Sequence, residues 1–238
     1  MLKIPYLYQK YSVSSVETRA KNNNGQHELI ILHRGSNTWT YDSFNRHFIY
    51  RNEKWGKNMF ILPHSITLSY FMDGNAVWIT DVALHQVFKF DWMKWDKPSL
   101  TLGIPGRPGN NRGQFCQPAD VVISSKGDIF VADGYCNSRI VKFSSNANMD
   151  LNRYDFKVVH SLTIIPSDED GSLEQVCAAD RENAAVLCYT LDGKLIRRYA
   201  DSSIQPSVYA IQYDPELEDY VFSITRTSNY IRTFCLSH

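Results

Sequence analysis

Two histidines stand at matching places in the chain. His64 ends the segment Ile61-Leu62-Pro63-His64 and His160 follows Val158-Val159, each at the mouth of an apolar, strand-like run. Imidazoles that converge suit zinc, which prefers about four tetrahedral ligands and keeps one open in catalytic sites. Tyr135 follows Asp133-Gly134 in a short polar turn. A phenol ionises near pH ~10, so it acts as a base only where a metal ion or a guanidinium stabilises the phenolate. Arg34 and Arg181 carry guanidinium forks, the shape that matches a carboxylate. Taken singly, each residue has a plainer reading: a hydrogen-bonded structural histidine, a surface turn tyrosine, an arginine in a surface ion pair. His85 lies in a polar turn and reads as structural.

The elements that would position these residues repeat along the chain. Asp81, Asp133 and Asp180 each open a short polar turn that leads into an apolar strand with an aromatic residue, at a spacing of roughly 50 residues. Before each Asp runs another short strand: 76–80, 129–132 and 175–179. Before that comes a glycine turn (Gly74, Gly127, Gly171), and before the turn a further strand: 65–69, 120–124 and 161–165. Short alternating runs between Gly and Asp turns read as antiparallel strands, and this period suits a propeller blade. Weaker units at 13–50 and 207–236 bring the number to about five. No long amphipathic helix is expected, and Gly103 to Gly113 reads as a loop between blades. Entrance strands of blades face a common axis, so His64 and His160 would converge.

Composition narrows the partners. The 238 residues are 43% hydrophobic and 21% charged, a globular balance that excludes disorder. Lys plus Arg and Asp plus Glu number 25 each, so there is no basic surplus for nucleic acid or a polybasic membrane anchor. No apolar run approaches the roughly 20 residues that span a bilayer, and the N-terminal residues lack the apolar core of a signal peptide. The five cysteines, at 116, 136, 177, 188 and 235, form no Cys-x-x-Cys pair. They suit either two disulfides and a spare thiol in an oxidising compartment, or reduced buried thiols in the cytosol.

Longer runs carry a more specific signal. Ile31-Leu32-His33-Arg34-Gly35, Lys57 to His64, Trp78 to Lys89, Phe115-Cys116-Gln117-Pro118, Asp133 to Val141, His160-Ser161-Leu162 and Cys177 to Asn183 occur in that order. Together they resemble the peptidyl-α-hydroxyglycine α-amidating lyases, an NHL-repeat family that forms the lyase half of the peptidylglycine α-amidating monooxygenase system. The resemblance covers roughly residues 13 to 215.

It implies an all-β, NHL-type β-propeller, six-bladed in the family. About five blades would lie in residues 13–238, without the family's last blade, after an N-terminal segment at 1–12. It implies cleavage of a peptidyl-α-hydroxyglycine to a peptide amide and glyoxylate. The substrates would be hydroxyglycine-extended peptides made by the upstream monooxygenase, in the secretory lumen or outside the cell. His64 and His160 would bind zinc, Tyr135 would take the substrate hydroxyl proton, and Arg34 and Arg181 would serve the active site, suited to the substrate carboxylate. Cys116–Cys136 and Cys177–Cys188 would be disulfides, leaving Cys235 without a family partner. A structural calcium would use the backbone at Val16 and Ile66. The family's third zinc histidine and its adjacent Asp have no counterpart, and the terminal His238 lacks the flanking pattern. Two imidazoles make a weak zinc site, so the chain as it stands is expected to bind zinc poorly and turn over slowly. The alternative is a non-catalytic NHL propeller that binds another protein.

Overall fold

A computed structural model describes residues 13–20, 27–34, 38–42, 47–49, 58–70, 74–92, 94, 96–143, 149–153, 156–167, 173–200, 204, 206–213, 220–226 and 231–237. Residues 1–12 and His238 lie outside this set. The chain falls into two compact units, Met1–Pro108 and Gly109–His238.

The first unit holds two four-stranded antiparallel sheets. One is β1 (Val13–Ala20), β2 (His27–His33), β3 (Thr38–Asp42) and β4 (His47–Ile49). The other is β5 (Pro63–Ser69), β6 (Ala76–Asp81), β7 (Gln86–Asp91) and β8 (Leu100–Leu102). Ile30, Leu32, Ile66, Val77, Ile79, Phe88 and Phe90 form a buried cluster here.

The second unit holds three sheets. The first is β9 (Asp120–Ile123), β10 (Ile129–Asp133), β11 (Arg139–Phe143) and β12 (Met149–Arg153). The second is β13 (Val159–Ile165), β14 (Gln175–Asp180), β15 (Ala185–Thr190) and β16 (Leu195–Tyr199). The third is β17 (Val208–Tyr213), β18 (Tyr220–Arg226) and β19 (Ile231–Ser237). Each sheet is a meander in chain order, its neighbouring strands antiparallel. Among the described residues the helical structure is short 3₁₀ geometry, as at Arg181–Asn183.

Three second strands are buried throughout their length: every residue of β6, β10 and β14 is buried. They lie between partner strands with both faces covered, and this is why they read as near-continuous apolar runs. The outer strand β16 (Leu195–Tyr199) is exposed at four of its five residues.

The repeating Asp has a structural explanation. Asp81 accepts from the backbone N–H groups of Ile61 and Leu62 ahead of β5, and from Ala83 and Leu84 in its own turn. Asp180 does the same for Lys157 and Val158 ahead of β13. Asp133 accepts from the Cys116 N–H ahead of β9. Each carboxylate therefore ties the approach to a first strand to the turn after the second.

First strands carry a second regularity. β5, β13 and β17 each show a register irregularity against their partner strand, between Pro63 and Ile66, Val159 and Ser161, and Val208 and Ala210. A bulge leaves its extra residue out of the ladder and re-aims its side chain. His64, His160 and Tyr209 lie within these three bulges. β1 has the same irregularity between Val13 and Ser15.

Candidate active site

Tyr135, His160 and Arg181 come together in the second unit. The Tyr135 hydroxyl lies 2.9 Å from His160 Nε2. His160 Nδ1 lies 2.7 Å from the Tyr209 carbonyl oxygen. A carbonyl only accepts, so Nδ1 carries the proton and Nε2 of the neutral ring presents its lone pair to Tyr135. An Nδ1–H bonded to a backbone carbonyl is also how proteins orient a histidine that ligates a metal through Nε2. The guanidinium carbon of Arg181 stands 5.3 Å from the centre of the Tyr135 ring and 5.5 Å from that of Tyr209, within cation–π range of both. Arg181 Nε donates to Glu182 Oε1 at 2.7 Å, so its Nη groups are the ones an incoming carboxylate would meet.

Three devices hold Tyr135 in this position. The turn that bears it is closed by a buried ion pair: Arg139 Nε donates to Asp133 Oδ2 at 2.8 Å. The same guanidinium donates to the carbonyls of Asn110 and Gln114, and Asn137 donates to Asp133 and to the Gly109 carbonyl. Burial pushes the Asp133 carboxyl up, against the pull of the hydrogen bonds from Asn137, the Cys116 amide and Arg139. Second, the Cys116–Cys136 disulfide, with a Cα separation of 5.6 Å, ties the residue after Tyr135 to the approach of β9. Third, Gly134 lies against the backbone of Val159, where a Cβ would come closer than 3.0 Å to three main-chain atoms. Only glycine lets the Tyr135 turn press onto the start of β13, and so reach His160.

Cys177 and Cys188 face each other across β14 and β15 with Cα atoms 4.0 Å apart. Both expected disulfides are therefore present, a state compatible with an oxidising compartment.

The other expected residues belong to the first unit. His64 is half-buried in β5, and Arg34 is exposed after the end of β2. Val16 is exposed on β1, while Ile66 is buried in the core. His85 sits in the turn before β7 with a positive φ of 59°, as a turn residue. Cys235 lies on β19. Among the described residues no three His, Cys, Asp or Glu side chains gather as a metal-binding group. The described donors thus include an oriented imidazole at His160.

Tyr209, Gly134 and Arg139 were not singled out from the sequence. A signal for Tyr209 was present: Val208-Tyr209-Ala210 aligns with Val159-His160-Ser161, each central residue following an apolar strand start.

The NHL repeat family profile matches residues 115–143, the segment from Phe115 through β11. The chain is 37% identical to the peptidylglycine alpha-amidating monooxygenase of Rattus norvegicus over 238 aligned residues, 85% of this chain and 23% of the relative. It is 34% identical to the peptidyl-alpha-hydroxyglycine alpha-amidating lyase 1 of Drosophila melanogaster, over 79% of this chain and 40% of the relative. The chain thus spans less than half the length of either. The virginiamycin B lyase of Staphylococcus aureus has a similar fold, with a TM-score of 0.58 at 14% identity over 96% of this chain and 71% of that one. The sheets, the repeat and these likenesses make the fold an NHL-type β-propeller, as expected from the sequence.

Proposed function

We propose that this chain, a homologue of the peptidyl-α-hydroxyglycine α-amidating lyases, cleaves peptidyl-α-hydroxyglycines to peptide amides and glyoxylate. The observation that carries the reading is the Tyr135–His160 hydrogen bond at 2.9 Å beside the Arg181 guanidinium. The Arg181 Nη groups would take the substrate carboxylate as a forked ion pair. Arg34 is assigned by the sequence resemblance to the same chemistry. Tyr135, deprotonated, would accept the proton of the substrate hydroxyl. The C–O bond becomes a carbonyl, the C–N bond breaks, and its electron pair goes to the amide nitrogen, which takes up a proton. No electrons are gained or lost overall, so no redox partner is needed.

Zinc, with His64 and His160 as the proposed ligands, would take the His160 Nε2 lone pair in place of the Tyr135 hydroxyl, and would polarise the substrate hydroxyl as a Lewis acid when bound. Calcium at the Val16 and Ile66 carbonyls belongs to the same reading and rests on the sequence resemblance. The two disulfides and the lyase relatives support a place in the secretory lumen or outside the cell, downstream of a monooxygenase that makes the hydroxyglycine. Among the described residues no helix is long and apolar enough to cross a membrane.

The test is glyoxylate release from a peptide ending in α-hydroxyglycine, with and without added zinc. Slow release is expected, with one peptide amide formed for each glyoxylate and a rate that rises with added zinc. Zinc that binds weakly, with no turnover at any zinc concentration, would favour a non-catalytic propeller scaffold instead.

A further inference from the structure

We propose that Tyr209 is a positioning residue for carboxylate recognition, acting through Arg181. The inference rests on the lyase reading above and adds to it a residue on β17. Three observations converge on this side chain. Tyr209 occupies the bulge of β17, the same place in its sheet that His64 and His160 occupy in theirs. Its ring lies 5.5 Å from the Arg181 guanidinium, which stands 5.3 Å from the Tyr135 ring. It also meets the His160 ring edge-on, with centroids 5.7 Å apart at 76°.

A guanidinium held by two aromatic rings keeps its charge while losing rotational freedom. A long side chain otherwise gives up that freedom when a ligand binds, at a cost to affinity. Both rings lie within cation–π range of the guanidinium, and Glu182 holds Nε. The Nη edge is left as the direction in which a carboxylate is received. A fixed fork aimed at one ligand group is preorganised for it, and removing one ring returns the fork to a spread of rotamers.

The backbone of Tyr209 has a separate task. Its carbonyl accepts the His160 Nδ1–H at 2.7 Å, and a side-chain substitution leaves that bond in place. Side-chain changes at Tyr209 therefore leave the backbone anchor of His160 in place and act on the Arg181 guanidinium and on the edge contact with the His160 ring. The Tyr209→Phe change keeps the ring and should behave as the wild type. The Tyr209→Leu change removes the π face while filling much of the volume.

The experiment titrates the wild type, Tyr209→Phe and Tyr209→Leu with glyoxylate, the carboxylate product, and with a C-terminal peptide amide, the product without a carboxylate. Calorimetry reads both, independently of turnover, and thermal melting reports the fold of each variant. Glyoxylate binding is expected to weaken about tenfold in Tyr209→Leu and to remain within about twofold of the wild type in Tyr209→Phe. Peptide-amide binding should be unchanged in both. In turnover assays Tyr209→Leu should raise KM with kcat retained, and Tyr209→Phe should leave both as they are. Equal glyoxylate affinity in wild type and Tyr209→Leu overturns the inference and leaves the lyase reading standing. So does a parallel loss for both ligands, which would mark Tyr209 as a general packing residue. A folded wild type that binds neither ligand overturns the lyase reading and this inference with it.

Discussion

Arg139 and Asp133 form an ion pair at 2.8 Å in which the two side chains retain 2% and 0% of their exposure. They are also opposite one another in the β10–β11 ladder, so the pair closes the base of the turn that carries Tyr135. Breaking such a pair from one side leaves a buried charge without its partner, at about 3–5 kcal/mol. Arg139→Met should therefore destabilise the protein by that order, read as a lower urea midpoint. It should also cut activity well below the unfolding transition, since the tyrosine turn loses its base. An unchanged midpoint would count against this role.

Gly134→Ala tests the close approach of two backbones. The added methyl meets main-chain atoms of Val159, which cannot rotate away as a side chain can. The expected outcome is a loss of about 1–3 kcal/mol in stability. Turnover should fall by roughly a hundredfold, the effect of a displacement near 1 Å at reacting groups. Activity at full level in the variant would show that Tyr135 does not depend on this contact.

Tyr135→Phe separates the hydroxyl from the ring. The ring still faces Arg181, so KM should change little, while kcat falls by about 10²–10⁴ with the loss of the base. Zinc content, measured by atomic absorption, should match the wild type. A variant with full kcat would remove Tyr135 from the chemistry.

His64→Ala and His160→Ala should each lower zinc content and abolish glyoxylate release, and a chelator should do the same to the wild type. His85→Ala should leave both readouts unchanged. Zinc retained in both of the first two variants would move the ion elsewhere.

Acid should weaken the first unit through His33. This residue is 1% exposed at the end of β2, and burial lowers its pKa from 6.5 to about 4. The unfolded chain takes up a proton near pH 6.5 while the folded chain remains neutral. The contribution is therefore intact above that pH and declines as pH falls from 6.5 towards 4. About 2 kcal/mol should be lost between pH 7 and 5. Urea titrations at the two pH values should show a smaller difference in His33→Gln.

The strand pattern was readable because turn chemistry punctuated it. Gly74, Gly127 and the repeated Asp marked where strands end, and β5, β6, β9, β10, β13 and β14 formed within a residue or two of the positions expected from them. Cys116 with Cys136 and Cys177 with Cys188 came from the resemblance, and the structure pairs them as expected. The supports of the site were harder to read. Arg139 looks like any basic residue at a strand start, and its burial depends on carbonyls of Asn110 and Gln114, which are distant in sequence. Gly134 looks like an ordinary turn glycine, because its contact with Val159 joins two sheets. Tyr209 carries a sequence signal in its match to the His160 position, but its contact with His160 Nδ1 is through a backbone carbonyl, which every residue has.

The bulge at the start of the first strands separates what the sheet requires from what the site requires. Its extra residue adds no pair to the ladder, so its identity is not constrained by register or by cross-strand packing. Serine at 14, histidine at 160 and tyrosine at 209 all meet the same backbone irregularity. The scaffold thus offers a set of interchangeable sockets, one for each such blade. Chemistry can be rewritten there by a single codon while the hydrogen-bonded frame stays as it was.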